Sequence, residues 1–232
     1  MNKLEDYFYN KEKKLPVHKW LHYFDIYDRH FKRFIGKNPV ILEVGVAEGG
    51  SLEMWNYYFD GNCTIYGVDI NPQSLNAPNI LGKSNIKVIL GSQDDRTFLQ
   101  SLKDLPKFDI IIDDGGHKMS QQIATYEELY DHLNDDGVYL CEDLHTSYWP
   151  DYYEGGYKKA DTFIEYSKNF IDYLNAYHIR PQMDLKFRKS THSIHYYDSI
   201  IVLERKKDLE PPRSEQRLNN LLFRATSEQH QT

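Results

Sequence analysis

Short apolar runs recur at regular spacing along the chain, with helical patterns between them. Val40–Val44, Thr64–Asp69, Ile86–Leu90, Phe108–Asp113 and residues 137–141 read as five strands. The unbroken Ile110-Ile111-Ile112 marks a central strand covered on both faces. Helices are predicted over 51–59, through Phe98, Leu99 and Leu102, and along the stripe Ile123, Tyr126, Leu129, Leu133. Strand and helix alternating in this way build βαβ units and a parallel sheet. Residues 144–160 are rich in tyrosine, glycine and charge and read as a long loop over the carboxyl edge of that sheet. A helix through Phe163, Ile164, Phe170, Ile171 and Leu174 follows. Residues 193–197 and 199–204 are then strands separated only by Asp198, a link that permits an antiparallel hairpin and excludes a helical crossover.

At the amino end, Trp20, Tyr23, Phe24, Tyr27, Phe31 and Phe34 lie at helical spacing over 19–34 and read as core. The first dozen residues carry no such pattern, and the tail after Glu210-Pro211-Pro212 is polar. The expected organisation is a flexible segment 1–17, a domain 18–206 and a polar, mobile tail 207–232. The fold class is α/β: a doubly wound, mostly parallel seven-stranded sheet closed by a C-terminal antiparallel hairpin.

Composition narrows the chemistry. No apolar run approaches the roughly 18 residues of a membrane span, and the start lacks the apolar stretch of a secretory signal, so a cytoplasmic protein without a membrane partner is expected. A net charge of −7 among 232 residues disfavours a nucleic-acid partner. The two cysteines, Cys63 and Cys141, fall in or beside strands, as buried small hydrophobes do. Nineteen tyrosines, several in the polar run 148–153, suit a sugar-stacking wall, an interface of a possible homo-oligomer, or plain helix packing.

The turn Glu43-Val44-Gly45-Val46-Ala47-Glu48-Gly49-Gly50-Ser51 follows a strand and opens a helix, where glycines permit a tight turn and close ligand approach. Its spacing departs from the dinucleotide fingerprint. The acid Glu43 before Gly45 would repel a pyrophosphate but suits an ammonium, which points to S-adenosylmethionine. Asp69, ending the second strand, is placed to accept ribose hydroxyls. In Gly91-Ser92-Gln93-Asp94 a serine stands where an acid is common, so Gln93 or Asp94 is the candidate for the adenine end. Gly45, Gly49 and Ser51 complete the expected cofactor contacts.

Two acidic clusters close the fourth and fifth strands, Asp113-Asp114-Gly115-Gly116-His117 and Glu142-Asp143-Leu144-His145. Carboxylates converging there repel one another unless a cation or protons neutralise them, and hard oxygen donors suit Mg2+. Asp114, Glu142 and Asp143 are the expected metal ligands, while Asp113 reads as a cap or a cofactor contact.

Over 18–204 the chain resembles the magnesium-dependent sugar O-methyltransferases of macrolide biosynthesis, grouped with cephalosporin hydroxylase-like proteins. The stretches that carry the resemblance are HKWLHYFDIYDRHF, ILEVGVAEGGSLEMW, IYGVDINP, FDIIIDDGGHKMSQQ, GVYLCEDLHTSYWPDYYEGG and SIHYYDSIIVLE. It implies a class I methyltransferase fold, S-adenosylmethionine along the first two strand ends, a metal on Asp114, Glu142 and Asp143, and His117 as general base. His145 is a second candidate base. The expected partner is a small-molecule hydroxyl acceptor, a sugar or glycoside. A catechol-type diol, or a non-catalytic cofactor-binding role, is the competing expectation.

Overall fold

The structure, a computed structural model, describes residues 1–152, 154–181, 184–218 and 221–225. Strands β1 (Val40–Val44), β2 (Thr64–Asp69), β3 (Ile86–Leu90), β4 (Phe108–Asp113), β5 (Leu133–Cys141), β6 (Thr191–Tyr197) and β7 (Ile200–Arg205) form one sheet in the order β3-β2-β1-β4-β5-β7-β6. The first five are parallel, and β7 runs antiparallel to both β5 and β6. This is the expected doubly wound sheet with its terminal hairpin. Strand order reverses between β1 and β4, so their carboxyl ends open the crevice in which such sheets bind ligands.

Successive side chains on β4 serve opposite faces. Ile110 and Ile112 join Tyr27, Phe31, Trp55 and Ile41 on one side. Ile111 joins Leu42, Tyr139, Leu129 and Phe170 on the other. The period of two in strand side-chain direction splits a continuous isoleucine run between two cores. Helices α1 (Lys3–Asn10), α2 (Tyr23–Phe31) and α3 (Gly50–Tyr58) cover the first face. Helices α4 (Ala77–Leu81), α5 (Arg96–Ser101), α6 (Met119–Leu129), α7 (Phe163–Leu174) and α8 (Lys186–Ser190) complete the domain. Cys63 and Cys141 are buried and free, as expected. Among the described residues no helix is long and apolar enough to cross a membrane.

Three sequence expectations change. Residues 3–10 are helical, not loosely ordered: Asn2 accepts from the amides of Leu4 and Glu5, and Glu5 accepts from the Asn2 amide in a reciprocal cap. Leu4 and Tyr7 of that helix are buried in the first core, an anchor too short for periodicity to reveal. The predicted helix over 19–34 starts only at Tyr23, and Trp20 is 53% exposed. The tail contains two antiparallel strands, β8 (Ser214–Leu218) and β9 (Leu221–Ala225). Tyr153 of the tyrosine run and residues 226–232 of the tail lie outside the described residues.

Candidate active site

A cavity of about 440 Å³ lies at the carboxyl edge between β1 and β4, within the size range of small-molecule sites. Its lining includes Gly45, Ser51, Asp69, Gln93, Asp114, His117 and Asp143. These are seven of the residues the sequence singled out, brought together from five loops.

The glycine turn is built tightly. Gly45 has φ +94°, and a Cβ there would lie 1.9 Å from the Asp114 carbonyl oxygen. Only glycine lets the β1 and β4 loops touch. Asp69 stiffens the turn from below: its Oδ2 accepts from the amides of Val46 and Ala47 at 2.8 Å, and its Oδ1 accepts from Asn71. Gly49 also has φ +94°, but its missing side chain makes room for Ala77, not for a ligand. Gly50 serves the same end against the Pro16 carbonyl. That contact brings Pro16 to Lys19 over the cavity, so part of the segment expected to be flexible closes the site.

Glu43 and Asp113 do not reach the cavity lining, and this corrects their expected direct cofactor contacts. Glu43 is fully buried and accepts from Ser51 Oγ at 2.9 Å and Trp55 Nε1 at 3.1 Å. Burial pushes its pKa up to about 7, against the pull of Lys19. Asp113 accepts from Gln93 at 2.7 Å and from the Tyr139 hydroxyl at 3.2 Å, and burial pushes it too to about 7. Through Gln93, whose Oε1 accepts from the Gly116 amide at 3.0 Å, Asp113 braces the β4 loop.

The acidic cluster holds a cation that the sequence reading passed over. The Lys19 ammonium is buried against Asp114 Oδ2 and Glu142 Oε2, the latter at 2.9 Å. Glu142 Oε1 accepts from the buried Tyr27 hydroxyl at 2.6 Å. Both oxygens of Glu142 are therefore engaged, and of the three expected metal ligands Asp114 and Asp143 line the cavity while Glu142 does not. Burial alone would lower the lysine pKa, but Asp114, Glu142 and Glu43 outweigh it and raise it well above the ordinary value. Burial and the Asp114 charge likewise push Glu142 well up. The lysine shift reflects the three carboxylates around one ammonium, while the Glu142 shift comes first from burial and then from the Asp114 charge. A signal for Lys19 was available, since converging acids require a counter-ion and Lys19 opens the aromatic helix stretch.

His117 and Asp143 both sit at φ +55°, a region that non-glycine residues rarely occupy and that clusters at functional sites. His117 Nε2 lies 3.5 Å from Asp143 Oδ2, and its Nδ1 is buried without a hydrogen-bond partner among the described residues. Asp143 Oδ1 accepts from the Tyr23 hydroxyl at 2.8 Å. Asp114, His117 and Asp143 bring one ligand atom each within 4.8 Å of one another. An under-neutralised oxygen-donor set bordering a cavity fits a hard divalent cation. The strand-end loops that line the cavity through Gly45, Ser51 and Gln93, with Asp69 at one side, fit a nucleoside carrying a polar tail.

A seven-stranded sheet of this order, with its cavity beyond β1 and β4, defines a class I methyltransferase fold. Residues 42–144 match the family described as a methyltransferase domain. The chain is similar to several O-methyltransferases. It is 34% identical over 168 residues to the 8-demethyl-8-alpha-L-rhamnosyl tetracenomycin-C 2'-O-methyltransferase of Streptomyces olivaceus, covering 68% of this chain and 43% of the relative. It is 36% identical over 143 residues to the demethylmacrocin O-methyltransferase of Streptomyces fradiae, covering 57% and 35%. The MycE methyltransferase of the mycinamycin biosynthetic pathway, solved in complex with Mg and SAH, superposes with a TM-score of 0.74 at 28% identity, over 89% of this chain and 55% of that one. The chain thus spans about half the length, or less, of the relatives it matches.

Proposed function

We propose that this chain catalyses methyl transfer from S-adenosylmethionine to a hydroxyl of a sugar or glycoside, assisted by Mg2+. The observation that carries the reading is the cavity itself, bounded on one side by the glycine turn and Asp69 and on the other by Asp114, His117 and Asp143. The solved relative with Mg and SAH, and a second form with Mycinamycin VI as well, support the same pairing of ligands.

In this reading Asp69, Gly45, Ser51 and Gln93 hold the nucleoside, while Glu43 acts indirectly by fixing Ser51 and α3. Asp114 and Asp143 would hold the metal, and Glu142, both oxygens engaged by Lys19 and Tyr27, would join them only by exchanging the ammonium for the ion. When bound, the sulfonium supplies an activated methyl group and the metal lowers the pKa of the acceptor hydroxyl. The chain's part is to align that hydroxyl with the methyl and to take its proton, a task assigned to His117. Asp143, 3.5 Å away, stabilises the histidine when it becomes protonated.

The test is a transfer assay with labelled S-adenosylmethionine and a panel of glycosides, nucleotide sugars and catechols, with Mg2+ or with chelator. Label entering a glycoside only when Mg2+ is present is the expected result. Undiminished transfer in chelator sinks the metal assignment, and transfer to catechols alone replaces the acceptor class.

A further inference from the structure

We infer that Trp20, His145 and Trp149 form the acceptor subsite, a ring wall on which the apolar face of a sugar stacks beside the catalytic groups. The inference rests on the methyl-transfer reading above. Large aromatic side chains are normally buried, yet Trp20 is 53% exposed and Trp149 46%. Neither indole is in the cavity lining itself: Trp20 adjoins it in sequence, and Trp149 is on the loop that leaves Asp143 and is tied to the β4 loop through Tyr152. Trp20 follows Lys19, and His145 lies two residues beyond Asp143, with Lys19 and Asp143 both in the lining.

The three rings form one continuous group. His145 is wedged between the indoles, 5.7 Å from Trp20 at 77° and 4.6 Å from Trp149 at 60°. Its Nδ1 and its amide both meet Ser199 Oγ, at 2.6 and 3.1 Å, so the ring is held by the β6–β7 turn. The loop carrying Trp149 meets the catalytic loop twice: the Thr146 hydroxyl is shared between the Asp143 carbonyl at 2.8 Å and the His117 carbonyl at 3.1 Å, and the Tyr152 hydroxyl donates to the Gly116 carbonyl at 3.1 Å. The wall is thus registered against His117 and is not free to drift from it.

The charge pattern selects the occupant. From the rings inward, His145 Nδ1 stands 3.9 Å from Asp143 Oδ1, and Asp143 Oδ2 3.5 Å from His117 Nε2. Apolar ring surface on one side and hydroxyl-binding groups on the other match a pyranose, which has C–H faces and a hydroxyl edge. The wall is half open to water, which suits a sugar borne on a larger glycoside and not a flat diol that must be enclosed on both faces.

Two measurements with methyl α-L-rhamnopyranoside test the subsite. Saturation-transfer NMR reads ring contact without turnover: the full chain with SAH and Mg2+ should transfer saturation to the sugar C–H protons, and the Trp20→Ala/Trp149→Ala double variant should not. In kinetics, Trp149→Ala should raise KM for the rhamnoside about ten-fold, a loss of roughly 1.4 kcal/mol, by more than kcat falls. Trp149→Phe should recover most of it. Calorimetric affinity for SAH should stay unchanged in all variants, which also shows that they fold. Sugar contact that survives in the double variant, or is absent from the wild type, overturns the subsite. Sugar contact without methyl transfer overturns the reaction reading instead and leaves the wall standing.

Discussion

The Lys19 ammonium lies 2.9 Å from Glu142 Oε2 while the Tyr27 hydroxyl holds the opposite oxygen at 2.6 Å. A lysine from the segment before α2 thereby fastens the amino end of the chain to the carboxyl end of β5. Since Lys19 also meets Asp114, one cation bridges the two acidic clusters.

Removing that cation should cost stability. Lys19→Met leaves buried carboxylates without their partner, a loss of about 3–5 kcal/mol. Added Mg2+ should restore part of it, because a dication at Asp114 and Asp143 replaces the missing charge. Urea unfolding with Mg2+ and with chelator measures both effects, and the variant should gain more from the metal than the wild type does. A variant as stable as the wild type in chelator would show that the ion pairs carry no stability.

Gly45→Ala should be among the most damaging small substitutions in the chain. Its φ of +94° disfavours any side chain, and the new Cβ would meet the Asp114 backbone, which has no rotamer with which to yield. A loss of about 3 kcal/mol or more is expected, read as a fall in melting temperature together with loss of SAH binding. Gly82, also at positive φ but facing open space, is the control and should lose far less on the same change.

Asp69→Ala should weaken SAH binding ten-fold or more by calorimetry, for two reasons that asparagine separates. The carboxylate buttresses the turn through the Val46 and Ala47 amides, and it stands where ribose hydroxyls would be held. Asp69→Asn keeps one carbonyl oxygen for the amides but loses the charge. An asparagine variant that keeps the wild-type melting temperature yet binds SAH poorly would locate the effect at the ligand. Equal binding by wild type, alanine and asparagine variants would remove Asp69 from the site.

The sheet was legible because its signals are local: five apolar runs at even spacing, and a hairpin that one residue of link makes unavoidable. The site was legible where loops end strands, at Gly45, Asp69, Asp114, His117 and Asp143, since strand ends in such sheets share one crevice. What stayed hidden was long-range. That Glu43 is consumed by Ser51 and Trp55, that Asp113 turns inward to Gln93 and Tyr139, and that Lys19 crosses to Glu142 depend on which way side chains point after folding. The amino-terminal helix escaped for a different reason. Its buried contribution is chiefly Leu4 and Tyr7, too few positions to display a period.

Glu204 should govern acid stability at the far end of the sheet. It accepts from His30 Nδ1 at 2.8 Å, Arg33 Nη1 at 3.0 Å and Ser193 Oγ at 3.3 Å. The His30 hydrogen bond, with the Arg33 charge beside it, outweighs burial and lowers its pKa from 4.5 to about 2. A depressed carboxyl stabilises the fold above its unfolded value, and that contribution is lost as pH falls through the folded value. Glu204→Gln should therefore cost about 2 kcal/mol at pH 7, with the gap to wild type narrowing below pH 4.5 and closing near 2. A gap that is constant from neutral to acid would assign the loss to packing instead.

The proton should pass to His117. Its left-handed backbone, after two glycines, turns the ring toward Asp143, and Nε2 lies 3.5 Å from Oδ2. Among the described residues its Nδ1 is buried without a hydrogen-bond partner, and the ring takes its orientation from Asp143 and the substrate. His117→Ala should lower turnover by 10²–10⁴-fold, the range for a positioned base, while leaving calorimetric affinity for SAH unchanged. Metal content decides between two roles that the geometry brings close, because one potential ligand atom from each of His117, Asp114 and Asp143 lies within 4.8 Å of the others. Unchanged Mg2+ affinity in the alanine variant marks a base, and affinity lost together with turnover marks a ligand. His145→Ala is the companion measurement. Its ring is held by Ser199 and flanked by indoles, so it should raise KM for the sugar more than it lowers kcat. A His117→Ala enzyme of near-normal turnover beside a dead His145→Ala enzyme would exchange the two assignments.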